Sequence, residues 1–364
     1  MLRSLILLYV GQWGCGVVES RLVKSGTTVT ESRPKFWRPT HYSVELRLHD
    51  VLFGSDSSSP SGDEGQFVPY GGRVRIWLTY PHPNVLDPFA TTLPPIVDPI
   101  LLFMNHLKIK GKPRLYEIDS NSTYLALSWE KHIVERYTSI DFGSLKKWSA
   151  IYLLEVDFEG SAATSIGERV LYRYHYKEGE HTRHGLLPDE KNEPLYPRLY
   201  GHRPTFVTLS VERPRHMQAY SNSPFQSETV TPHGTIIQDF AAIAPIPPMG
   251  VTLAVVPQGT QAALLHRMLH MWEGYSTTVD DIVQYVNRRF VYLKRVSPWD
   301  SRHKRKLYGR MRLVVAPLDD DFIRWYPGLG IVDERTVLKT IAPSRKTDFD
   351  ERFHSAQTDY SRMR

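Results

Sequence analysis

The sequence predicts a mainly-β fold, a β-sandwich or saddle-like sheet, and three observations carry that prediction. Tyr152–Gly160 (YLLEVDFEG) alternates, with Leu153, Glu155, Asp157 and Glu159 on one side and Tyr152, Leu154, Val156 and Phe158 on the other. That is the period of a half-buried strand. Further strand-like runs follow: Val170–Tyr176, rich in aromatics, then Phe206–Val211 and Gly250–Val256. Composition agrees, because 26 prolines and 12% aromatic residues suit strands and loops better than helices.

Taken in order, residues 1–20 hold Arg3, an apolar run Leu5–Val10 and then small residues. This is the pattern of a short secretory signal, so an extracellular protein is expected. The run is too short to span a bilayer, and no later stretch is long and apolar enough for a transmembrane helix. Cleavage near Gly16 would remove Cys15, the only cysteine, and no intrachain disulfide is expected. Arg21–Lys35 is a polar lead. Ser43–His49 places Val44, Leu46 and Leu48 on one face, and Phe67–Leu78 alternates Arg73, Arg75 and Trp77 with Val74, Ile76 and Leu78. Between them, Gly54–Gly65 is a low-complexity acidic loop. Pro81–Pro99 reads as an insertion at a sheet edge, where proline removes ladder donors. Ile100–Lys110 is a strand pair, and Asn121-Ser122-Thr123 is a glycosylation triplet expected on a surface turn.

At 364 residues, 41% hydrophobic, the chain is long enough for two domains with a sizeable core. Its character changes after Val256, which divides it into a β-domain over 36–256 and a small α/β domain over 257–345. In the latter, Gln261–Trp272 has Leu264, Met268 and Met271 at helical spacing. Asp280–Arg289 reads as a second helix, acidic at its start and basic at its end. Met311–Ala316 is a buried strand and Gly328–Leu338 a strand and turn. Residues 346–364 are charged, aperiodic and read as a disordered tail.

Net charge is +6, but only Ser301–Arg312 concentrates it, and such a run reads as a solvated loop. The aromatics of Tyr172–Tyr176 share a strand and read as core, so no nucleic-acid partner is expected.

The order of the strands resembles the N-terminal β-domain of the M1 family of zinc aminopeptidases. That family has a Y-x-L-x-I-x-F-x-G strand, a G-x-Y-x-S-x-Y strand and a proline-rich crossing. An A-x-S-N-x-P turn and a P-P-M-S-x-Y-L strand follow. The similar pieces here are Tyr152–Gly160, Gly167–Tyr176, Pro188–Pro204, Ala219–Pro224 and Pro247–Val256. Trp37-Arg38-Pro39 through His49 resembles the R-L-P-x-H-Y-x-L-x-L opening, without the leucine before the proline. Ile100–Lys110 is similar to I-x-L-H-x-x-x-L-x-I, with Phe103 in place of the histidine. Residues 257–345 resemble the start of the catalytic domain, in degenerate form.

The chemistry implied by the resemblance is not carried by these residues. The family holds zinc with H-E-x-x-H, whose glutamate takes a proton from metal-bound water. That motif is absent. His266 and His270 are four apart, but Arg267 stands where the glutamate would, and Glu273 is seven positions from His266. No zinc or other cofactor is therefore expected. The peptide-gripping G-A-M-E-N motif falls on Phe322, Ile323, Arg324, Trp325 and Tyr326, aligned by Ala316-Pro317, Gly328-Leu329 and Glu334. Trp325 replaces the glutamate that holds a free amino group, Arg324 would repel that group, and Phe322 and Ile323 would crowd the cleft. A second anchor, T-Q-x-E-P-T, becomes Thr182–Pro188 with neither carboxylate nor amide. No G-x-S-x-G elbow, phosphate loop or G-x-G-x-x-G is present.

The expectation is a non-catalytic, aminopeptidase-like, secreted module that binds a protein or peptide, a full-length aminopeptidase paralogue among the candidates. The alternative is a truncated fragment or isoform of an M1 zinc metalloaminopeptidase acting in peptide catabolism.

Overall fold

The computed structural model describes residues 37–54, 67–80, 98–119, 121–134, 136–145, 151–178, 181–189, 194–199, 205–242, 250–264, 267–271, 312–316, 323–326 and 328–333. Among these the only helical element is a single 3₁₀ turn, Asp50–Leu52; the rest of the regular structure is strand. The mainly-β expectation therefore holds, and no described helix is long and apolar enough to cross a membrane. Residues 1–20, 81–97, 280–289 and 346–364, with the expectations placed on them, lie outside the described residues.

The strands are β1 (Arg38–Arg47), β2 (Phe67–Thr79), β3 (Ile100–Phe103), β4 (Lys108–Glu117), β5 (Ser122–Leu125), β6 (Ser128–His132) and β7 (Tyr137–Asp141). They continue with β8 (Tyr152–Ala163), β9 (Leu171–Glu178), β10 (His181–Pro188), β11 (Arg198–Leu199), β12 (Phe206–Arg213), β13 (Met217–Ser221) and β14 (Phe225–Val230). The last are β15 (Ile236–Phe240), β16 (Leu253–Pro257), β17 (Thr260–Leu264), β18 (Arg267–Met271), β19 (Arg312–Ala316), β20 (Ile323–Tyr326) and β21 (Leu329–Asp333). A 12-stranded mixed sheet runs β13-β16-β10-β9-β8-β2-β1-β12-β15-β14, with β4 and β5 branching from β8. A 4-stranded sheet, β11-β3-β7-β6, and a 5-stranded sheet, β17-β18-β19-β21-β20, accompany it.

The alternation read from the sequence explains the centre of the large sheet. Val44, Leu46, Val74, Ile76, Leu78, Tyr152, Leu154, Val156 and Phe158 are all buried in one apolar cluster. The opposite face of β1, β2, β8 and β4 carries a ladder of ion pairs. Arg75 reaches Glu45 at 2.5 Å and Glu155 at 2.9 Å, and Arg73 reaches Asp157 at 2.7 Å. Arg114 meets Glu155 at 3.3 Å, and Lys110 meets Glu159 at 2.6 Å. Glu155, its side chain only 9% exposed, is the centre of this ladder. Cross-strand pairs of opposite charge favour this register over a slipped one, which would turn every side chain to the wrong face.

Three glycines of the sheet each face an aromatic ring directly across the ladder. Gly160 pairs with Tyr70, Gly72 with Phe158 and Gly185 with Tyr174. A Cβ on Gly160 would lie 2.3 Å from the Tyr70 ring, and one on Gly185 would lie 2.4 Å from Tyr174. The ring covers backbone that a side chain would otherwise occupy.

The two ends of the large sheet are brought together by side chains. Gln238 of β15 accepts from the Ala219 backbone N–H at 3.3 Å and donates to the Ala219 carbonyl at 2.8 Å, as a neighbouring strand would. Arg213, fully buried at the end of β12, donates from Nε to Gln238 at 2.8 Å. Its other donors reach the carbonyls of Pro214 and Met217 and the side chains of Gln218 and Glu228. Burial lowers the Arg213 pKa, opposed by Glu228.

One expectation is corrected. Residues 261–264 and 267–271 are not helical but form the antiparallel pair β17–β18, with Ala262 opposite Leu269 and Thr260 opposite Met271. Short apolar runs satisfy both periods, and pairing of β18 with β19 selects the strand.

Two outcomes follow for stability in denaturant. Gly160→Ala lowers unfolding free energy by about 1–3 kcal/mol, and combining it with Tyr70→Leu gives less than the sum of the single losses. Arg213→Met strands the acceptors of Gln238, Gln218 and Met217 and lowers stability by at least about 2 kcal/mol.

Candidate functional site

One residue from each of the two segments compared with peptide anchors, Tyr326 and Pro188, meets the other where the 12-stranded sheet meets the small, five-stranded one. β20 is the outermost strand of the small sheet, antiparallel to β21, with Ile323 opposite Val332 and Tyr326 opposite Leu329. It carries Ile323, Arg324, Trp325 and Tyr326 of the expected motif, while Phe322 lies outside the described residues. Tyr326 is buried, and its hydroxyl donates to the Pro188 carbonyl at 3.0 Å. Pro188 is the last residue of the Thr182–Pro188 counterpart of the second anchor and ends β10.

The surroundings are apolar. Tyr326 clusters with Tyr174, Leu187, Tyr220, Val314 and Leu329. The described side chains that cluster directly with Tyr326 are aromatic or aliphatic, and none of them is a carboxylate or amide that could hold a free amino group. His184, in the middle of the second anchor, is buried, and its Nδ1 donates to the Gly54 carbonyl at 2.8 Å. Arg173 donates to the Leu52 carbonyl at 2.9 Å beside it. Both residues tie the Asp50–Leu52 turn to the sheet.

The Ala219–Pro224 turn forms the polar corner of the same seam. Asn222 donates to the Gly250 carbonyl at 2.5 Å and accepts from Thr252 N–H at 3.1 Å. Gly328, with φ of 86°, packs on it: an added Cβ would stand 3.3 Å from the Asn222 carbonyl. The Ser223 and Thr252 hydroxyls are buried there without a partner among the described residues. Burial pushes the Tyr220 hydroxyl pKa up, opposed by Arg312 and then Arg213, and it lowers the Arg312 pKa.

His270 lies on β18, not on a helix, and His266 lies outside the described residues. Among the described residues, no three His, Cys, Asp or Glu side chains gather as metal ligands would. Sequence reasoning missed the Tyr326–Pro188 bond, because its partners lie 138 positions apart, and the part of Arg213, because its burial rests on side-chain acceptors from neighbouring strands. Asn121 is exposed on the turn between β4 and β5, as expected.

Tyr326→Phe is expected to lower stability by about 1 kcal/mol and Tyr326→Ala by roughly 3–5 kcal/mol, read from denaturant midpoints. A side chain lining an open cleft would leave both variants near wild type. No protein-family model and no curated protein matches the chain.

Proposed function

We propose that the chain is a secreted, non-catalytic, aminopeptidase-like protein that binds an extended segment of a partner protein or peptide. The observation that carries this reading is the burial of Tyr326 and its bond to the Pro188 carbonyl, which joins one residue from each of the two segments compared with peptide anchors. Lost acids and amides at those anchors support it, since the strands around them persist without the groups that would grip an amino terminus. The partner segment docks instead on a sheet edge. Among the described residues β14 is the outermost strand beyond β15, and all six of its residues are exposed. It carries no lysine or proline, the usual guards of an open edge, and it presents Phe225 and Val230, 48% and 56% exposed. An extended peptide adds to such an edge through main-chain hydrogen bonds, with side-chain pockets giving selectivity.

The full chain, purified from a secreting host, is expected to hold no stoichiometric zinc and to release no N-terminal residue from a reporter peptide. Trp325→Glu leaves both results unchanged. Candidate peptides bind equally with free and acetylated amino termini. Stoichiometric zinc together with turnover would overturn the proposal.

A further inference from the structure

Asn121-Ser122-Thr123 is the only N-x-S/T triplet in the chain. It sits at the join between turn and ladder: Glu117 and Ser122 form the last β4–β5 pair, and Asn121 is the residue just before it. Its backbone is left-handed, with φ of 52°, a conformation asparagine adopts more readily than most residues. Asn121 is exposed, and no partner among the described residues engages its carboxamide. Thr123, the hydroxyl residue of the triplet, is exposed as well. No core side chain has to move to admit a large substituent here. The position also has a use for one, because among the described residues β5 pairs with β4 alone, which leaves its outer edge uncovered by them beside the half-exposed Leu125. Open edges invite pairing with other chains, and a bulky, hydrated group beside one blocks that approach.

We propose that Asn121 carries an N-linked oligosaccharide, an inference that rests on the secreted state assigned above. In the transfer, the Asn121 amide nitrogen attacks the anomeric carbon of a lipid-pyrophosphate-linked oligosaccharide held by a membrane-bound transferase. The new N–C bond forms as the C–O bond to pyrophosphate breaks. The lipid pyrophosphate leaves with the bonding electrons, and one amide proton passes to a base of the transferase. Nothing is oxidised or reduced.

The test expresses the full chain in eukaryotic secretory cells in two forms, one with its own N-terminus and one with an independent secretion signal added ahead of it. Intact mass is read before and after peptide N-glycosidase treatment, in medium and in cell extract. Both forms are expected to lose the mass of one oligosaccharide on treatment. Asn121→Gln and Thr123→Ala are expected to abolish that loss completely, while Ser122→Ala keeps it. Secreted chain with unchanged mass in the second form would overturn the site. Modification of the second form alone would support the site and overturn secretion by the chain's own N-terminus.

Discussion

A sheet of this width has two ends to satisfy, and the buried guanidinium of Arg213 is the interaction that joins them. An unpaired cation in a protein interior is strongly disfavoured, so the side chain is tolerable only where every donor meets an acceptor. Here all five N–H groups do: one to Gln238, two to the Pro214 and Met217 carbonyls, and two to Gln218 and Glu228. Gln238 then extends this network into the backbone of Ala219, so β12, β13, β14 and β15 are held as one corner. The Ser221–Ser223 turn follows directly from β13, and its placement inherits the placement of that corner.

From this corner the rest of the junction takes its geometry. Asn222 fixes the approach to β16, and Gly328 of the small sheet packs on the same residue. Tyr326 closes the seam from the other side against Pro188. A cleft for an amino terminus would need acids and solvent in that position. Aromatic and aliphatic side chains cluster around Tyr326 instead.

The parts of this fold that were legible in the sequence are those where burial alternates within one strand. Val44 and Leu46, Val74 to Leu78, and Tyr152 to Phe158 are legible because water on one face and core on the other write a period of two into the chain. Leu264, Met268 and Met271 mislead, because in a run this short the same spacing fits a helix or two paired strands. Arg213 and Gln238 carry no local signal, since a charged residue at a strand end looks solvated until the acceptors that surround it in the fold are known. The meeting of Tyr326 with Pro188 was not legible, because 138 positions separate the two residues.

The parallel pairing of β1 with β12 sets His41 beside Phe206 and Arg47 beside Glu212. The first strand of the sheet therefore waits for a neighbour made much later in synthesis. At ribosomal speeds of roughly 5–20 residues per second, that interval lasts on the order of ten seconds or more. During it, one side of β1 is open and prone to mispairing, and loop closure over such a span slows folding further. Until most of the middle third of the chain has emerged, β1 lacks the partner that its parallel pairing with β12 requires.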